Sequence, residues 1–305
     1  MPPMPDDPVL RVHGLTRRFG ERTVVDGLDF ALRPGTMTGF LGANGAGKTT
    51  TLRMIMGILE PTAGEVLWRG EPLGAEQIAR FGYMPEERGL WPKQRILDQL
   101  VYLAQLQGVA RAEARDRAGR LLEEFGLADR GRDLLESLSL GNQQRVQIAA
   151  ALIHEPEALI LDEPFSGLDP AAVDSMVEML RRLLRRGVPV LFSSHQLDLV
   201  ERLCEDVVIL HEGTVAVAGS AETLRSTGPA RYRITAEADL GWLRDVPELD
   251  VLDVAGREAL VELPEDPGES DRTRSRLLAD LVPRGLTGFT RIYPTLSEIY
   301  RKATR

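Results

Sequence analysis

Residues 42–50 place a glycine-rich turn directly before a lysine and two threonines, and they read Gly-Ala-Asn-Gly-Ala-Gly-Lys-Thr-Thr. The spacing matches G-x-x-x-x-G-K-[ST], in which glycines let the backbone approach phosphate and point N–H groups at it. The apolar run 37–41 precedes the motif, and residues 51–57 favour a helix after it, which is the context the motif requires. We therefore predict a phosphate-binding loop, with Lys48 reaching the β- and γ-phosphates and the Thr49 hydroxyl ligating Mg²⁺.

An acidic pair follows a second apolar run. Residues 158–161 read Ala-Leu-Ile-Leu and are followed by Asp162, Glu163 and Pro164. A continuous apolar run is typical of a buried parallel strand, and ligands bind at the carboxyl edge of such sheets. We predict that Asp162 holds Mg²⁺, directly or through water, and that Glu163 is the general base for an attacking water. The alternative is an ordinary acidic helix cap after a strand.

The charge and cysteine content exclude several classes of protein. The chain has 46 acidic and 37 basic residues and a net charge of −9, which argues against a nucleic-acid backbone as the main partner. The run 181–186, Arg-Arg-Leu-Leu-Arg-Arg, is either a local basic patch or a solvated helix face, and we favour the helix face. Cys204 is the single cysteine, so no internal disulfide forms, which fits a reducing compartment. No run of about 18 apolar residues occurs, so we expect any membrane role to come through a partner.

The patterns divide this 305-residue chain into two domains. Residues 1–8 lack the features of a signal peptide, and we expect them to be disordered. Residues 9–220 alternate strands with helices, which predicts an α/β domain with a mostly parallel sheet, an antiparallel N-terminal β subdomain and a helical subdomain at about 88–145. Residues 221–228 are predicted to be a linker.

Residues 229–305 are predicted to form a small accessory α+β domain. The element order is β-α-β-β-α-β, a split βαβ or ferredoxin-like pattern. The predicted strands are 232–235, 249–254, 258–262 and 288–293, and the predicted helices are 239–245 and 272–284. The segment contains no phosphate loop, metal-ligand cluster or nucleophile signature, so we expect an accessory role.

Further segments extend the pattern of the first domain. Residues 138–145 read Leu-Ser-Leu-Gly-Asn-Gln-Gln-Arg at the start of a helix predicted from Gln143 to His154, residues 166–169 read Ser-Gly-Leu-Asp, and His195 follows a predicted strand. With the phosphate loop and the acidic pair, these segments resemble the nucleotide-binding subunit of an ATP-binding cassette (ABC) transporter, a P-loop NTPase. The resemblance covers residues 9 to about 220.

The resemblance implies ATP and Mg²⁺ as ligands and assigns roles to individual residues. The implied ATP contacts are Phe19, Asn44, Gly45, Ala46, Gly47, Lys48, Thr49, Thr50, Ser139, Gly141 and Asp169. The implied Mg²⁺ contacts are Thr49, Glu86 and Asp162, and the implied catalytic residues are Lys48, Glu163 and His195. Phe19 is expected either to stack on adenine or to lie in the core between strands.

Three positions depart from the family pattern. Leu140 stands where the family has the first glycine of its signature motif, and Asn142 stands where it has glutamine. Leu140 indicates that the backbone there does not require a glycine-only conformation. Glu86 replaces a glutamine that contacts Mg²⁺ in most members, and a carboxylate can also ligate this ion. We therefore expect ATPase activity, whose rate these positions do not predict.

The resemblance also implies partners. A head-to-tail homodimer is expected, with residues 138–142 of one copy covering the ATP bound at 42–49 of the other. Hydrolysis is expected to drive an integral membrane permease from the cytoplasmic face of the cell membrane, and no direct nucleic-acid contact is expected. Residues 88–93 contain Trp91, either in a docking surface for that partner or folded onto its own subdomain.

Two functions remain open. The chain end and the stretch 85–90, Pro-Glu-Glu-Arg-Gly-Leu, resemble an exporter branch that includes NatA-like sodium and drug exporters. The alternative is a soluble ATPase of the same superfamily that acts on ribosomes or DNA. The single cassette and the lack of sustained heptads favour transport. The cargo is not encoded, because the cassette does not contact it.

Overall fold

The computed structural model describes residues 7–87, 89–226 and 229–304. It contains two compact units, of which the first ends at Ser220 and the second begins at Ala221. Of residues 1–8, expected to be disordered, residues 1–6 lie outside the described residues. In the segment expected to be a linker, Ala221–Ser226 form a helix that belongs to the second unit, and residues 227–228 lie outside the described residues.

The strands and helices of the first unit follow one another in the order that the apolar runs predict. The strands are β1 (Leu10–Phe19), β2 (Arg22–Leu32), β3 (Met37–Leu41), β4 (Ala63–Trp68), β5 (Glu71–Pro72), β6 (Phe81–Met84), β7 (Ala158–Leu161), β8 (Val190–Ser194), β9 (Asp206–His211) and β10 (Thr214–Ser220). The α-helices are α1 (Lys48–Ile55), α2 (Ala75–Ile78), α3 (Ile96–Leu106), α4 (Arg111–Glu124), α5 (Leu140–Leu152), α6 (Pro170–Arg185) and α7 (Leu197–Leu203). Short 3-10 turns lie at Ala128–Arg130 and Leu135–Ser137.

The larger sheet of this unit has the strand order β10-β9-β3-β8-β7-β6. Its pairings are parallel, except that β10 is antiparallel to β9. Strands β3, β7 and β8 are buried along their whole length, as continuous apolar runs in a helix-covered sheet require. The predicted mostly parallel sheet is confirmed. Because parallel strands end at one edge, the loops after β3, β6, β7 and β8 meet there.

The smaller sheet has the order β2-β1-β4-β5 and is antiparallel, as the alternating pattern of residues 9–35 predicts. Its inward residues form a core that includes Leu10, Leu15, Leu28 and Leu32, all fully buried. Gly64 on β4 lies against the backbone of β1. Its φ is +79°, and a Cβ there would lie 2.2 Å from the Gly14 carbonyl oxygen. Only glycine fits this position.

The boundaries of α1 and α5 differ from the sequence prediction. Helix α1 ends at Ile55 rather than near Leu59, and Gly57 follows with a φ of +64°, a conformation that stops helices. Helix α5 begins at Leu140 rather than at Gln143, because Ser139 is its N-cap. The Ser139 Oγ accepts a hydrogen bond from the Asn142 N–H at 3.4 Å.

The second unit has α8 (Ala221–Ser226), β11 (Arg231–Ala236), β12 (Asp250–Ala255), β13 (Glu258–Glu262), α9 (Pro267–Leu281), β14 (Leu286–Ile292) and α10 (Leu296–Ala303). Its antiparallel sheet has the order β12-β13-β11-β14. Each pair of strands joined by a crossover is thus separated by one antiparallel strand, as in a split βαβ. The first predicted helix, 239–245, is a 3-10 turn at Gly241–Asp245, and α10 was not predicted.

Among the described residues, no helix combines the length and the apolar character needed to cross a membrane.

Candidate functional site

The phosphate loop connects β3 to α1 and is held by its own backbone. Gly45 and Gly47 have φ values of +84° and +101°, which other residues adopt at a cost. The Lys48 Nζ donates to the carbonyl oxygens of Gly42, at 2.8 Å, and Ala43, at 3.4 Å. The ammonium group therefore lies over the loop, where it meets phosphate together with the N–H groups at the start of α1.

A cavity of about 250 Å³ opens above this loop. Its lining consists of Val24, Asn44, Gly45, Gly47, Lys48, Thr49, Thr50, Glu86 and Glu163. The structure thus brings together most of the residues that the sequence assigns to phosphate, metal and catalysis. Ala46 is buried beneath the loop and does not line the cavity. Val24 lies on β2 outside any motif, and only the sheet packing shows that it lines this cavity.

The acidic pair lies at the end of β7 and is fixed by a buried hydroxyl on the neighbouring strand. The Ser193 Oγ donates to Asp162 Oδ1 at 2.6 Å and accepts from the Glu163 N–H at 2.8 Å. Leu161 is the parallel partner of Phe192, so this pairing follows from the register of β7 and β8. Sequence reasoning missed Ser193, although a polar residue at the end of a buried neighbouring strand is a usable signal.

The Asp162 side chain has an unused acceptor suited to a cation. Asp162 is fully buried, and its Oδ2 has no hydrogen-bond partner among the described residues. A buried carboxylate oxygen without a partner is costly unless a cation or ordered water meets it. Asp162 does not line the cavity itself, but the next residue, Glu163, does, and Thr49 and Glu86 supply there the oxygen ligands that Mg²⁺ prefers. The residues present therefore fit Mg²⁺.

Glu163 is the most constrained member of the site. Its φ is +50°, a left-handed conformation that is uncommon for a residue with a side chain. Its carboxylate lies 3.8 Å from Lys48 Nζ. Both of its oxygens lie 3.1 Å from His195 Nδ1, and because a carboxylate only accepts, Nδ1 carries the proton. Such a histidine holds the carboxylate in one orientation.

Tyr83, on the strand next to β7, has a raised pKa because of burial and a nearby charge. Tyr83 on β6 is partly buried, and this desolvation, together with the nearby Asp162 carboxylate, raises the pKa of the Tyr83 hydroxyl. Tyr83 therefore stays neutral beside the acidic pair.

The segment 138–142 lies apart from this cavity, and none of its residues lines it. Ser139 and Leu140 are exposed at the start of α5, and Leu140 has an ordinary helical backbone, as the sequence indicated. A Cβ on Gly167, whose φ is +72°, would lie 2.9 Å from Leu140 Cδ2. The leucine that replaces a family glycine therefore packs onto the loop 166–169.

Helix α5 is also tied to the acidic segment. The Gln144 Nε2 donates to the Pro164 carbonyl oxygen at 2.9 Å and lies 3.5 Å from the Glu163 carbonyl oxygen. Gln144 is buried. Gln144 lies in the segment 138–145 that the sequence analysis singled out. Its link to Glu163 was not predicted, because the contact joins segments that are distant in sequence.

Asp169 and Phe19 also lie outside the cavity lining. The Asp169 Oδ1 accepts from the Ala172 N–H at 2.8 Å and so caps α6. Phe19 is 47% exposed at the end of β1, which excludes the core alternative, and the Arg17 guanidinium lies 4.6 Å from the centre of its ring. Its stacking on adenine stays a prediction.

Trp91 lies in an exposed aromatic cluster of the helical subdomain. Its ring meets that of Tyr102 edge to face at 5.7 Å, and Leu106 is exposed one turn further along α3. The buried Gln99 side chain accepts from the Trp91 N–H at 2.9 Å and donates to the Trp91 and Gln94 carbonyl oxygens. These three hydrogen bonds fix the loop backbone at Trp91, while the Trp91 side chain stays exposed.

The chain is similar to known transporter proteins. Residues 25–166 match the family model described as ABC transporter. YhaQ of Bacillus subtilis (strain 168), an uncharacterized ABC transporter ATP-binding protein, is 46% identical over 237 residues, 77% of this chain and 80% of the relative. The Nod factor export ATP-binding protein I of Paraburkholderia xenovorans (strain LB400) is 39% identical over 211 residues, 68% of this chain and 69% of the relative.

A solved structure gives the same result. The structure of an ATP binding subunit of an ABC transporter superposes with a TM-score of 0.66 at 34% identity, and the match covers 72% of this chain and 92% of that one. The family match includes both the phosphate loop and the acidic pair. The chain therefore belongs to the ATP-binding subunits of ABC transporters, which are ATPases coupled to transport.

Proposed function

We propose that this subunit powers an exporter, and that its ATP is hydrolysed in the cavity above the phosphate loop. The observation that carries the proposal is the convergence of Lys48, Thr49, Glu86 and Glu163 on that cavity, with His195 held against Glu163. Export is supported by the Nod factor export relative.

The position of each site residue supports a particular step of ATP binding or hydrolysis. The loop N–H groups and Lys48 bind the β- and γ-phosphates. Thr49, Asp162 and Glu86 would hold Mg²⁺, which neutralises charge that develops on the phosphates. Glu163 accepts a proton from water as the water oxygen attacks the γ-phosphorus and the bond to the β,γ-bridging oxygen breaks. His195 keeps the Glu163 carboxylate aimed at that water.

We propose a head-to-tail homodimer because one chain supplies only part of the site. Ser139 and Gly141 lie outside the cavity of their own chain, yet Ser139 is exposed at the start of α5, where N–H groups favour an anion. A second copy would place that helix start on the γ-phosphate. Asp169, capping α6, would lie near the same contact, and the exposed Phe19 would stack on adenine.

We propose that the aromatic cluster of Trp91, Tyr102 and Leu106 docks a permease at the cytoplasmic face of the membrane. Trp91 lies on the loop before α3, and Tyr102 and Leu106 lie on α3; exposed aromatic and aliphatic groups of this kind are typical of protein interfaces. The relatives are described as parts of transporters, which supports a membrane partner over a ribosome or DNA.

The variant Glu163→Gln tests the ATPase and dimer proposals together. It removes the proton acceptor but keeps the side-chain volume, so we expect kcat to fall about 100-fold or more. The trapped ATP should then hold two chains together, which light scattering detects as a doubled mass only with ATP and Mg²⁺. The matched control Glu178→Gln changes an exposed carboxylate on α6 and should keep wild-type turnover. A Glu163→Gln protein that stays monomeric in saturating ATP would refute the head-to-tail model.

The docking surface has its own test. Trp91→Ser should prevent recovery of the permease with the tagged subunit from detergent-solubilised membranes, while ATPase activity of the isolated subunit is unchanged. Recovery of ribosomes and no membrane protein with the wild-type subunit would favour the soluble alternative.

A further inference from the structure

A second cavity of the first unit lies where α4, the end of α5 and α6 meet, and its volume is about 260 Å³. We call it the arginine cavity. Its apolar lining consists of Leu121, Leu152, Ile153, Pro156, Met179 and Leu183. Its charged lining consists of Arg117, Arg120, Glu124, Glu155, Arg182 and Arg186. Among the described residues it shares no lining with the phosphate-loop cavity, so its chemistry is separate from ATP hydrolysis.

The charges of the arginine cavity are unbalanced in favour of cations. Four arginines face two glutamates, in a protein whose net charge is −9. Glu155 lies 3.7 Å from Arg117, and Glu124 lies 3.8 Å from Arg182, so neither pair reaches hydrogen-bond distance. The two glutamates therefore leave donor capacity on the guanidinium groups.

The excess of positive charge is concentrated on α6. Arg117 and Arg120 have carboxylate partners one turn earlier in α4. Arg182 has only its distant glutamate, and Arg186 forms no ion pair within the described part of the chain. Arg182 lies in the last turn of α6 and Arg186 is the C-cap residue four positions later, a spacing that favours one helix face, and both line the arginine cavity.

We propose that the arginine cavity binds a small amphipathic organic anion. Its carboxylate or phosphate head lies between Arg182 and Arg186, because guanidinium donates to both heads in pairs of hydrogen bonds. Its apolar body covers Leu121 and Leu183, which are partly exposed and which an inorganic anion would leave in contact with water. The volume is below the roughly 300 Å³ at which ordinary ligand pockets begin, so the body is a short chain or a single ring.

The ligand would join two parts of the unit. Leu121 belongs to α4 of the helical subdomain, whereas Leu183 belongs to α6. A molecule that contacts both helices stabilises one arrangement of them. The site is therefore placed to regulate movement of the helical subdomain.

The basic run 181–186 supplies a matched control. Arg181 and Arg185 do not line the arginine cavity, and they lie 3.9 Å and 4.0 Å from Glu178 on the same helix. The interpretation of the run as a solvated helix face thus holds for these two arginines, while the other two line the cavity. The double variants Arg182→Ala/Arg186→Ala and Arg181→Ala/Arg185→Ala remove equal charge from one helix.

Titration calorimetry of the full chain with octyl phosphate and octanoate, below their micellar concentrations, tests the proposal. We expect saturable binding of at least one of them, with inorganic phosphate and octyl glucoside at least about tenfold weaker. Because both arginines are partly in water, Arg182→Ala/Arg186→Ala should weaken binding about tenfold. Arg181→Ala/Arg185→Ala and Lys48→Ala should bind like the wild type.

Each other outcome overturns the proposal. Absence of saturable binding to the wild type would show that the cavity is not a ligand site. Equal weakening in the two double variants would show general charge attraction. Loss of binding in Lys48→Ala would place the amphiphile in the phosphate loop instead. None of these results depends on turnover, so they are independent of the proposed ATPase mechanism.

Discussion

Two hydroxyl groups are buried in the larger sheet, and we predict that removing them changes the free energy of unfolding in opposite directions. Ser193 on β8 is fully buried and makes two hydrogen bonds, to the Asp162 carboxylate and from the Glu163 N–H. Thr38 on the adjacent strand β3 is equally buried, but its Oγ1 has no partner among the described residues. If hydrogen bonding rather than polarity decides stability, removing each hydroxyl should shift the free energy of unfolding in opposite directions.

The magnitude follows from the contacts. A hydrogen bond to a charged group contributes about 1.5–3 kcal/mol and a neutral one about 1 kcal/mol. Ser193→Ala also leaves a buried carboxylate oxygen and an N–H unpaired, so we expect a loss of about 3 kcal/mol. Thr38→Val replaces an unpaired hydroxyl with a methyl group of similar shape, so we expect no loss or a gain of about 1 kcal/mol.

Urea unfolding of the full chain, followed by tryptophan fluorescence and circular dichroism, measures both variants. With a slope of roughly 3 kcal/mol per molar urea, Ser193→Ala should lower the midpoint of the first unit by about 1 M. Its turnover should also fall, because the Glu163 backbone loses its anchor. The reasoning is refuted if Thr38→Val lowers the midpoint as much as Ser193→Ala, or if Ser193→Ala leaves it unchanged.

Three further predictions concern single positions. Gly64→Ala should destabilise the first unit by about 3 kcal/mol in urea, because its Cβ would overlap the Gly14 carbonyl, whereas Gly70→Ala, with open space and a similar φ, should cost about 1 kcal/mol. Burial lowers the pKa of His154 in the folded protein, so the stability that the neutral imidazole contributes is present above about pH 6.5 and is lost as the pH falls towards the lowered pKa. His154→Gln should therefore flatten the dependence of the urea midpoint on pH in this range, and an unchanged dependence would contradict the prediction. Burial raises the pKa of the Cys204 thiol, so a disulfide reagent should label it about a hundredfold more slowly in the native protein than in urea, and equal rates would show that it is accessible.

The phosphate loop and the acidic pair could be predicted because their chemistry is local. Residues 42–49 are consecutive, and Asp162 and Glu163 directly follow the strand that positions them. The parallel sheet was equally visible, since fully buried strands are continuous apolar runs. The start of α5 was predicted less well, because the cap residue Ser139 begins the helix at Leu140, three residues before the predicted Gln143.

The remaining features depend on contacts between distant segments. Ser193 meets Asp162 only because β8 lies beside β7, and Leu140 meets Gly167 only after α5 has packed. In the second unit, the predicted helix 239–245 became a 3-10 turn, where the Asp239 side chain accepts from the Gly241 N–H at 2.7 Å. That local bond competes with a regular helix.

The hydrogen bond from Gln144 to the Pro164 carbonyl oxygen has a consequence for how the binding of one ATP affects the binding of the other. In the proposed dimer, the helix that contains Gln144 holds the partner's ATP, whereas the segment it contacts holds the base that acts on the chain's own ATP. Coupling between two binding events is reciprocal. If the ATP held by this helix strengthens binding of the chain's own ATP, loss of either nucleotide must weaken binding of the other by the same factor, and Gln144 would lie on the path between the two sites.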